Sequence, residues 1–102
     1  MMIFVAGTMT FDPAHLGDFR RDVAAMRDKV VGEPGCHHYS LLVEDDAAGL
    51  VNVVEQWDDD DALALHFTQP WIGEFAAKYM PLLKASTVQI YDIAGVRPLP
   101  GM

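Results

Sequence analysis

The sequence predicts an α+β domain of the ferredoxin-like class, with the element order βαββαβ and a four-stranded antiparallel sheet. Three observations predict it. Segments rich in β-branched and aromatic residues alternate in that order with segments of helical periodicity. The two central strand segments are separated only by the turn 45–49, so they form a hairpin. The chain has 102 residues, of which 51% are hydrophobic, and this is typical of one folded domain.

The first half of the chain supplies a strand and a helix. Residues 2–11 read as a strand, and both of its faces are largely apolar. Asp12 followed by Pro13 is typical of a helix start, because aspartate caps the first turn and proline fits inside it. The helix is expected to end near Gly32. Its apolar stripe consists of Leu16, Phe19, Val23, Met26 and Val30.

The second half supplies the hairpin, a broken helix and a last strand. The hairpin strands are predicted at 36–44 and 50–57. The acidic run 58–61 precedes a helical segment, where carboxylates interact favourably with the positive end of the helix dipole. Pro70 interrupts this segment, so the helix is expected to bend or restart there. The last strand is predicted at 86–93.

Composition restricts the classes of partner and compartment. The net charge of −8 opposes binding to nucleic acid and to anionic membrane surfaces. We expect one domain at 1–95 and an irregular tail at 96–102, without a signal peptide or membrane span. Cys36 is the single cysteine, which is typical of a reducing, cytoplasmic setting. The apolar content exceeds what a small core absorbs, so it favours a homodimer with a buried face.

An ordered set of motifs crosses the middle of the chain. An E-x-G-C segment at 33–36 is followed three residues later by Tyr39. An E-x-W segment ends the third strand at 55–57. An A-x-x-x-H segment at 62–66 lies on the next helix, before the break at Pro70. In this order and spacing the motifs resemble those of the antibiotic biosynthesis monooxygenase family, which includes quinol monooxygenases.

The resemblance covers roughly residues 3–93 and implies a fold, an activity and a partner. Similar family members form dimers in which two four-stranded sheets pack face to face as an α/β barrel. Each subunit has a ligand cavity between its sheet and its helices. The implied activity is a monooxygenase without a cofactor, which oxidises a small electron-rich aromatic of the hydroquinone, naphthol or anthrone type with O2. The deprotonated substrate would supply the reducing power by passing an electron directly to O2.

Three side chains are the candidates for catalysis. His66 is the leading one, because an imidazole that titrates near neutrality can deprotonate a phenol or enol. Trp57 could stack on a planar aromatic or donate its indole N–H to a quinone oxygen. Tyr39 could form a hydrogen bond with the substrate. Each also has a structural alternative: His66 could bond to a strand carbonyl or to Glu55, while Trp57 and Tyr39 could pack in the core.

Four further residues are predicted to bind substrate: Glu55, Trp71, Phe75 and Tyr79. Glu55 shares a strand face with Trp57, where a carboxylate needs a partner. It is therefore expected either to orient His66 or to form a salt bridge across the dimer. The other three belong to the apolar stripe of the second helical segment. The segment 33–36 is interpreted mainly as architecture, as a helix stop and the start of the hairpin.

No metal or cofactor site is predicted, and three other functions remain open. The sequence lacks H-x-x-x-H, H-E-x-x-H and C-x-x-C spacings and a glycine-rich phosphate loop. A non-catalytic dimeric module could bind a small hydrophobic ligand in the same pocket. Haem binding or degradation is less compatible, because the first-strand Asn and later helical His of haem-degrading relatives are missing. A stress-responsive α/β-barrel dimer fits the motif set less well.

Overall fold

A sheet forms one layer of the molecule and the helices form the other. The computed structural model describes residues 1–101. Its elements are β1 Ile3–Thr10, α1 Leu16–Val30, β2 Cys36–Asp45, β3 Leu50–Trp57, α2 Asp60–Phe67, α3 Pro70–Tyr79, β4 Ala85–Ser86 and β5 Gln89–Asp92. The strand order is β2-β3-β1, and β4 and β5 both pair with the free edge of β1. This antiparallel arrangement confirms the predicted ferredoxin-like α+β class.

The helices begin and break where the sequence predicts. The Asp12 carboxylate accepts a hydrogen bond from the Ala14 N–H at 2.9 Å and caps a short 3-10 turn that leads into α1. The Asp59 carboxylate caps α2 in the same way, by accepting from the Ala62 N–H at 2.8 Å. Pro70 is the first residue of α3, so the predicted restart is confirmed. The whole predicted stripe of α1 is buried: Leu16, Phe19, Val23, Met26 and Val30.

The sheet register places three side chains in one row beneath the helices. Glu55 of β3 pairs with Tyr39 of β2 on one side and with Val5 of β1 on the other. Residues that pair across antiparallel strands point to the same face of the sheet. All three side chains are buried on the helix-facing side. The row therefore forms a floor on which α2 and α3 lie.

The prediction of one continuous last strand at 86–93 is wrong, because the chain is interrupted between β4 and β5. The side-chain oxygen of Thr87 accepts a hydrogen bond from the Thr8 N–H at 2.9 Å, and the Thr87 N–H donates to the Thr8 carbonyl at 2.8 Å. Gly7 on β1 has φ +148°, and a Cβ there would lie 2.6 Å from the Thr87 carbonyl oxygen. The missing side chain lets Thr87 press against β1, and this local pairing replaces the regular ladder.

A second close approach fixes the loop between α1 and β2. Gly35 has φ +78°, and a Cβ at this position would lie 2.7 Å from the Cβ of Ala62 on α2. The Gly35 carbonyl also accepts a hydrogen bond from the Asp58 N–H at 2.9 Å. The loop can lie this close to α2 because one contact residue is glycine and the other is alanine. One helical turn beyond Ala62, the same approach brings the loop against His66.

The opposite face of the sheet carries apolar side chains that the single chain leaves uncovered. Leu42 is 66% exposed and Val54 is 39% exposed, both in the strands of the hairpin. Tyr91 of β5 is 51% exposed and pairs with Phe4 on this face. We call Phe4, Leu42, Val54 and Tyr91 the open face.

Candidate functional site

A cavity of about 240 Å³ lies between the sheet and the helices and opens to solvent. Its lining is mostly apolar and contains neither lysine nor arginine. Phe67 and Met80 line it and are also exposed, so they lie at its mouth. The lining residues are Val5, Met9, Tyr39, Leu41, Val53, Glu55, His66, Phe67, Ile72, Phe75, Ala76, Met80, Leu83, Ser86 and Val88.

His66 lies at the centre of the site, on α2, and is almost completely buried. Its ring centroid is 4.6 Å from that of Trp57 and 5.5 Å from that of Tyr39, so two aromatic rings hold the imidazole. Its Nδ1 lies 2.9 Å and 3.1 Å from the two carboxylate oxygens of Glu33. Burial lowers the pKa of His66, although the neighbouring Glu33 carboxylate opposes this effect. Burial therefore favours the neutral form of the imidazole.

Glu33 is the functional residue that the sequence interpretation missed. The segment 33–36 does end α1, but the Glu33 side chain is buried and turned towards the helices. One of its oxygens accepts the Nδ1 bond of His66, and the other also accepts from the indole N–H of Trp71 at 3.0 Å. The expectation that Glu55 orients His66 is wrong, because Glu33 occupies that position. A buried histidine and a half-buried indole N–H on adjacent helices both need an acceptor, and this need is the available signal.

Glu55 instead forms a pair within its own strand. One of its oxygens accepts a hydrogen bond from the indole N–H of Trp57 at 3.0 Å. Residues i and i+2 of a strand share a face, which brings these two side chains together. Burial raises the pKa of Glu55, the Trp57 bond lowers it and the charge of Glu33 raises it, and together they bring it to about 7. The carboxyl group is therefore partly protonated near neutrality.

Three polar atoms remain available to a ligand in the cavity. They are Nε2 of His66, the hydroxyl oxygen of Tyr39 and the second carboxyl oxygen of Glu55, none of which has a hydrogen-bond partner among residues 1–101. In this part of the chain no buried side-chain nitrogen or oxygen lacks a partner, so these atoms must be accessible to solvent. Their residues are otherwise buried and line the cavity. We infer that solvent reaches these three atoms through the cavity.

The predicted site residues divide between this cavity and other places. Tyr39, Glu55, His66 and Phe75 line the cavity. Trp57 is 0% exposed and lies beneath the imidazole, and its N–H is already used by Glu55. Trp71 and Tyr79 line a second space, which we call the outer groove. The Tyr39 hydroxyl is held protonated, because burial raises its pKa.

The outer groove lies between α1 and α3 and has a volume of about 270 Å³. The Tyr79 hydroxyl donates to the Asp22 carboxylate there at 2.5 Å, and Lys78 bonds to the same carboxylate at 2.7 Å. These contacts lower the pKa of Asp22 to about 2. Phe75 is the one residue that lines both spaces. The roles predicted for Trp71 and Tyr79 in binding substrate remain predictions, and the geometry places neither residue in the cavity.

Residues 1–101 contain neither a metal-binding cluster nor a membrane-spanning helix. No cluster of three or more His, Cys, Asp or Glu side chains is arranged there to hold a metal ion. Within the same residues, no helix combines the length and the apolar character that crossing a membrane requires.

The raised pKa of Glu55 predicts how the stability of the protein depends on pH. In the folded chain the Glu55 carboxyl group keeps its proton up to about pH 7, whereas in the unfolded chain it releases the proton near its ordinary pKa of 4.5. Stability should therefore fall as the pH rises between these two values, by about 3 kcal/mol. Glu55→Gln keeps an acceptor for Trp57 but cannot titrate. Relative to the natural chain, it should gain up to that amount between pH 4 and pH 8.

Urea unfolding at pH 4, 6 and 8 measures this difference. Glu74→Gln is the control, because Glu74 is an exposed carboxylate on α3. A constant difference between Glu55→Gln and the natural chain across this range would contradict the assignment. The same trend in both variants would also contradict it.

Comparison with known proteins decides the family. Residues 2–78 match the family model described as antibiotic biosynthesis monooxygenase. The chain belongs to this family. The match spans all three motifs, from the E-x-G-C segment at 33–36 to the A-x-x-x-H segment at 62–66. Membership in the family accounts for the shared architecture.

Relatives of this monooxygenase family member support the same fold. It is 31% identical over 98 residues to an uncharacterised protein of Synechocystis sp., covering 95% of this chain and 67% of that protein. The solved structure of a candidate antibiotic biosynthesis monooxygenase from Caulobacter crescentus is 27% identical, with a TM-score of 0.80 over 92% of this chain and 91% of that one. A Pseudomonas aeruginosa structure is 26% identical, with a TM-score of 0.76 over 91% and 95%.

Proposed function

We propose that this protein is a cofactor-independent monooxygenase that oxidises a small electron-rich aromatic with O2. One observation carries the proposal: a largely apolar cavity in which Nε2 of a buried, oriented histidine is free. Family membership supports the reaction class. The base is His66, the hydrogen-bond donor is Tyr39, and the partly protonated carboxyl group is Glu55. Trp57 holds the imidazole from beneath and does not touch the substrate.

The first step is removal of a hydroxyl proton from the substrate. Nε2 of His66 accepts this proton, and the Tyr39 O–H donates a hydrogen bond to the developing phenolate oxygen. The burial that lowers the pKa of His66 favours the unprotonated imidazole, which is the form that can act as a base. The apolar lining leaves the phenolate weakly solvated, so it is more easily oxidised than it would be in water.

The second step joins the substrate to dioxygen. The phenolate passes one electron to O2, and the resulting radicals combine to form a bond between a ring carbon and oxygen. The peroxide anion takes up the proton held by His66. Loss of the ring C–H proton and cleavage of the O–O bond then leave a carbonyl group and release water. For a hydroquinone, substrate and O2 become a hydroxyquinone and one water, and four electrons pass from the ring to O2.

The size and charge of the cavity narrow the substrate class. Its volume of about 240 Å³ lies below the roughly 300–1,000 Å³ of pockets that hold drug-sized ligands. One or two fused rings therefore fit better than three, which favours hydroquinones and naphthols over anthrones. No cationic residue lines the cavity, and Glu55 disfavours an anionic ligand. The substrate is a neutral phenol that becomes charged only in the reaction.

Oxygen uptake with the purified protein tests this proposal. The panel is 1,4-hydroquinone, 1,4-dihydroxynaphthalene and anthrone, with 1,4-dimethoxybenzene as a control that has no proton to remove. We expect uptake above the autoxidation rate for at least one hydroxylated compound and none for the ether. Catalase should return no oxygen, because this reaction releases water and not hydrogen peroxide.

Two results would contradict the proposal. If oxygen uptake does not exceed the autoxidation rate, the proposed enzymatic activity is wrong. Saturable binding of the same compounds would then support the alternative, a non-catalytic module that binds a small hydrophobic ligand. Recovery of oxygen on addition of catalase would show that the protein only promotes oxidation to a quinone.

A haemin titration that shows a Soret shift would favour the haem-binding alternative.

The proposed enzyme acts as a homodimer through its open face. The exposed side chains of Leu42, Val54 and Tyr91 support this, because a sheet face with such residues gains stability when a second copy covers it. Val54→Asp places a charge in the middle of this face. Light scattering after gel filtration should give a dimer for the natural chain and a monomer for Val54→Asp. A natural chain that is monomeric at micromolar concentration would contradict the prediction.

A further inference from the structure

We propose that Glu33 is a positioning residue, which holds His66 in the tautomer that carries its hydrogen on Nδ1 and thereby presents Nε2 to the cavity as a base. The inference rests on the proposed function for its effect on the reaction. The tautomer itself can be observed without any turnover. Glu33 lines no part of the cavity, so it does not itself touch the substrate.

The geometry around the Glu33 carboxylate leaves little freedom. Both of its oxygens lie within hydrogen-bond distance of Nδ1 of His66, at 2.9 Å and 3.1 Å. The second oxygen also accepts from the indole N–H of Trp71 at 3.0 Å. The side chains of Glu33 and His66 are only 5% and 3% exposed, so water does not compete for these bonds. The carboxylate is held from α2 by one residue and from α3 by the other.

The chemistry of the three groups assigns the proton. An ionised carboxylate only accepts hydrogen bonds, and an indole N–H only donates them. The Nδ1 atom of His66 must therefore carry a hydrogen to bond to Glu33. A neutral imidazole has one N–H, so Nε2 then bears the free lone pair. Nε2 has no partner among residues 1–101 and is the atom available to the substrate.

Because Trp71 also bonds to Glu33, the tautomer of His66 should change when one carboxylate oxygen of Glu33 is replaced by an NH2 group. In Glu33→Gln the amide has one accepting oxygen and one donating NH2 group. The oxygen has to face Trp71, because two donors facing each other repel. The NH2 group then faces Nδ1 of His66, which must accept and so gives up its hydrogen. The imidazole changes to the Nε2–H tautomer, and the atom that faces the cavity no longer acts as a base.

Nitrogen-15 NMR of the full-length chain with labelled histidine measures the tautomer. At pH 8 the two ring nitrogens differ in chemical shift and in their couplings to the ring hydrogens. The signals of His66 are assigned by their loss in His66→Asn. We expect Nδ1–H in the natural chain and Nε2–H in Glu33→Gln. Glu74→Gln, at an exposed glutamate of α3, is the control and should leave the signals unchanged.

The variant Trp71→Phe separates positioning from general disruption. Removing the indole N–H leaves the carboxylate in place, so the Nδ1–H tautomer should persist. In the double variant Glu33→Gln/Trp71→Phe the amide is free to turn either way, and both tautomers should appear. A merely structural role for Glu33 would not produce this partial return. Oxygen uptake should fall roughly 10²–10⁴-fold in Glu33→Gln and recover in part in the double variant.

Three outcomes would overturn the inference. The Nε2–H tautomer in the natural chain would do so at once, even if every variant failed to fold. The Nδ1–H tautomer in a folded Glu33→Gln would show that the carboxylate does not set the proton position. Equal oxygen uptake in the natural chain and in Glu33→Gln would show that Glu33 has no effect on the reaction. If the tautomers behave as expected but no compound is oxidised, the proposed reaction fails and the positioning role stands.

Discussion

Replacement of His66 by asparagine is expected to lower kcat/KM for oxygen uptake roughly 10²–10⁴-fold, the usual contribution of a positioned general base. The amide NH2 of asparagine lies near the position of Nδ1, so it can still donate to Glu33. The variant therefore removes Nε2, the atom that takes the substrate proton, while it keeps the buried carboxylate paired. In the natural chain the rate should rise with pH until the imidazole is neutral. In the variant this dependence should disappear.

The control for this variant is His38→Gln, which changes an exposed histidine of β2. Its oxygen uptake should match that of the natural chain. Thermal unfolding of both variants identifies any loss of rate that comes from loss of fold. Uptake that is unchanged in a folded His66→Asn would show that the imidazole is not the base, and the proposed mechanism would then be wrong.

The second large effect concerns the loop that carries Glu33. Gly35→Ala should destabilise the protein by about 2–6 kcal/mol, because two costs add. A side chain at φ +78° is strained by roughly 1–3 kcal/mol, and the crowding of a new Cβ 2.7 Å from that of Ala62 costs a similar amount. Denaturant unfolding measures this change. Because the loop moves away from α2, the hydrogen bond from His66 to Glu33 should also lengthen.

Gly73→Ala is the matched control for the same chemical change. Gly73 lies inside α3, and a Cβ there would meet nothing within 4 Å. Alanine is the better helix former, so this variant should be neutral or more stable by up to about 1 kcal/mol. A Gly35→Ala variant as stable as Gly73→Ala would mean that the loop does not depend on this close approach.

Local sequence signals were sufficient to predict most of the fold. The stripe of α1, the cap at Asp12 and the break before Pro70 all follow from interactions within a few residues. The last strand was predicted without its interruption, because the cause lies at Gly7, some 80 residues earlier in the chain. The pairing of a glycine with a distant threonine leaves no periodicity in the sequence near Thr87.

The candidate site was predicted less completely, for a related reason. Strand alternation placed Glu55 and Trp57 on one face, as the structure has them. The sequence offers a strand carbonyl or Glu55 as the partner of His66, and it indicates only a helix stop at Glu33. Loop geometry depends on packing between distant elements, here the contact of Gly35 with Ala62. A pattern within the sequence does not reveal that the Glu33 side chain turns inwards.

The Glu33 carboxylate joins three segments through side-chain hydrogen bonds: the loop after α1, α2 through His66, and α3 through Trp71. A buried polar network that loses one member leaves the others unpaired, which is costlier than opening all of them to water. These segments should therefore open as one cooperative unit, and their amide hydrogens should exchange together. A partly unfolded chain then has no half-formed site, and the reactive imidazole exists only in the fully folded protein.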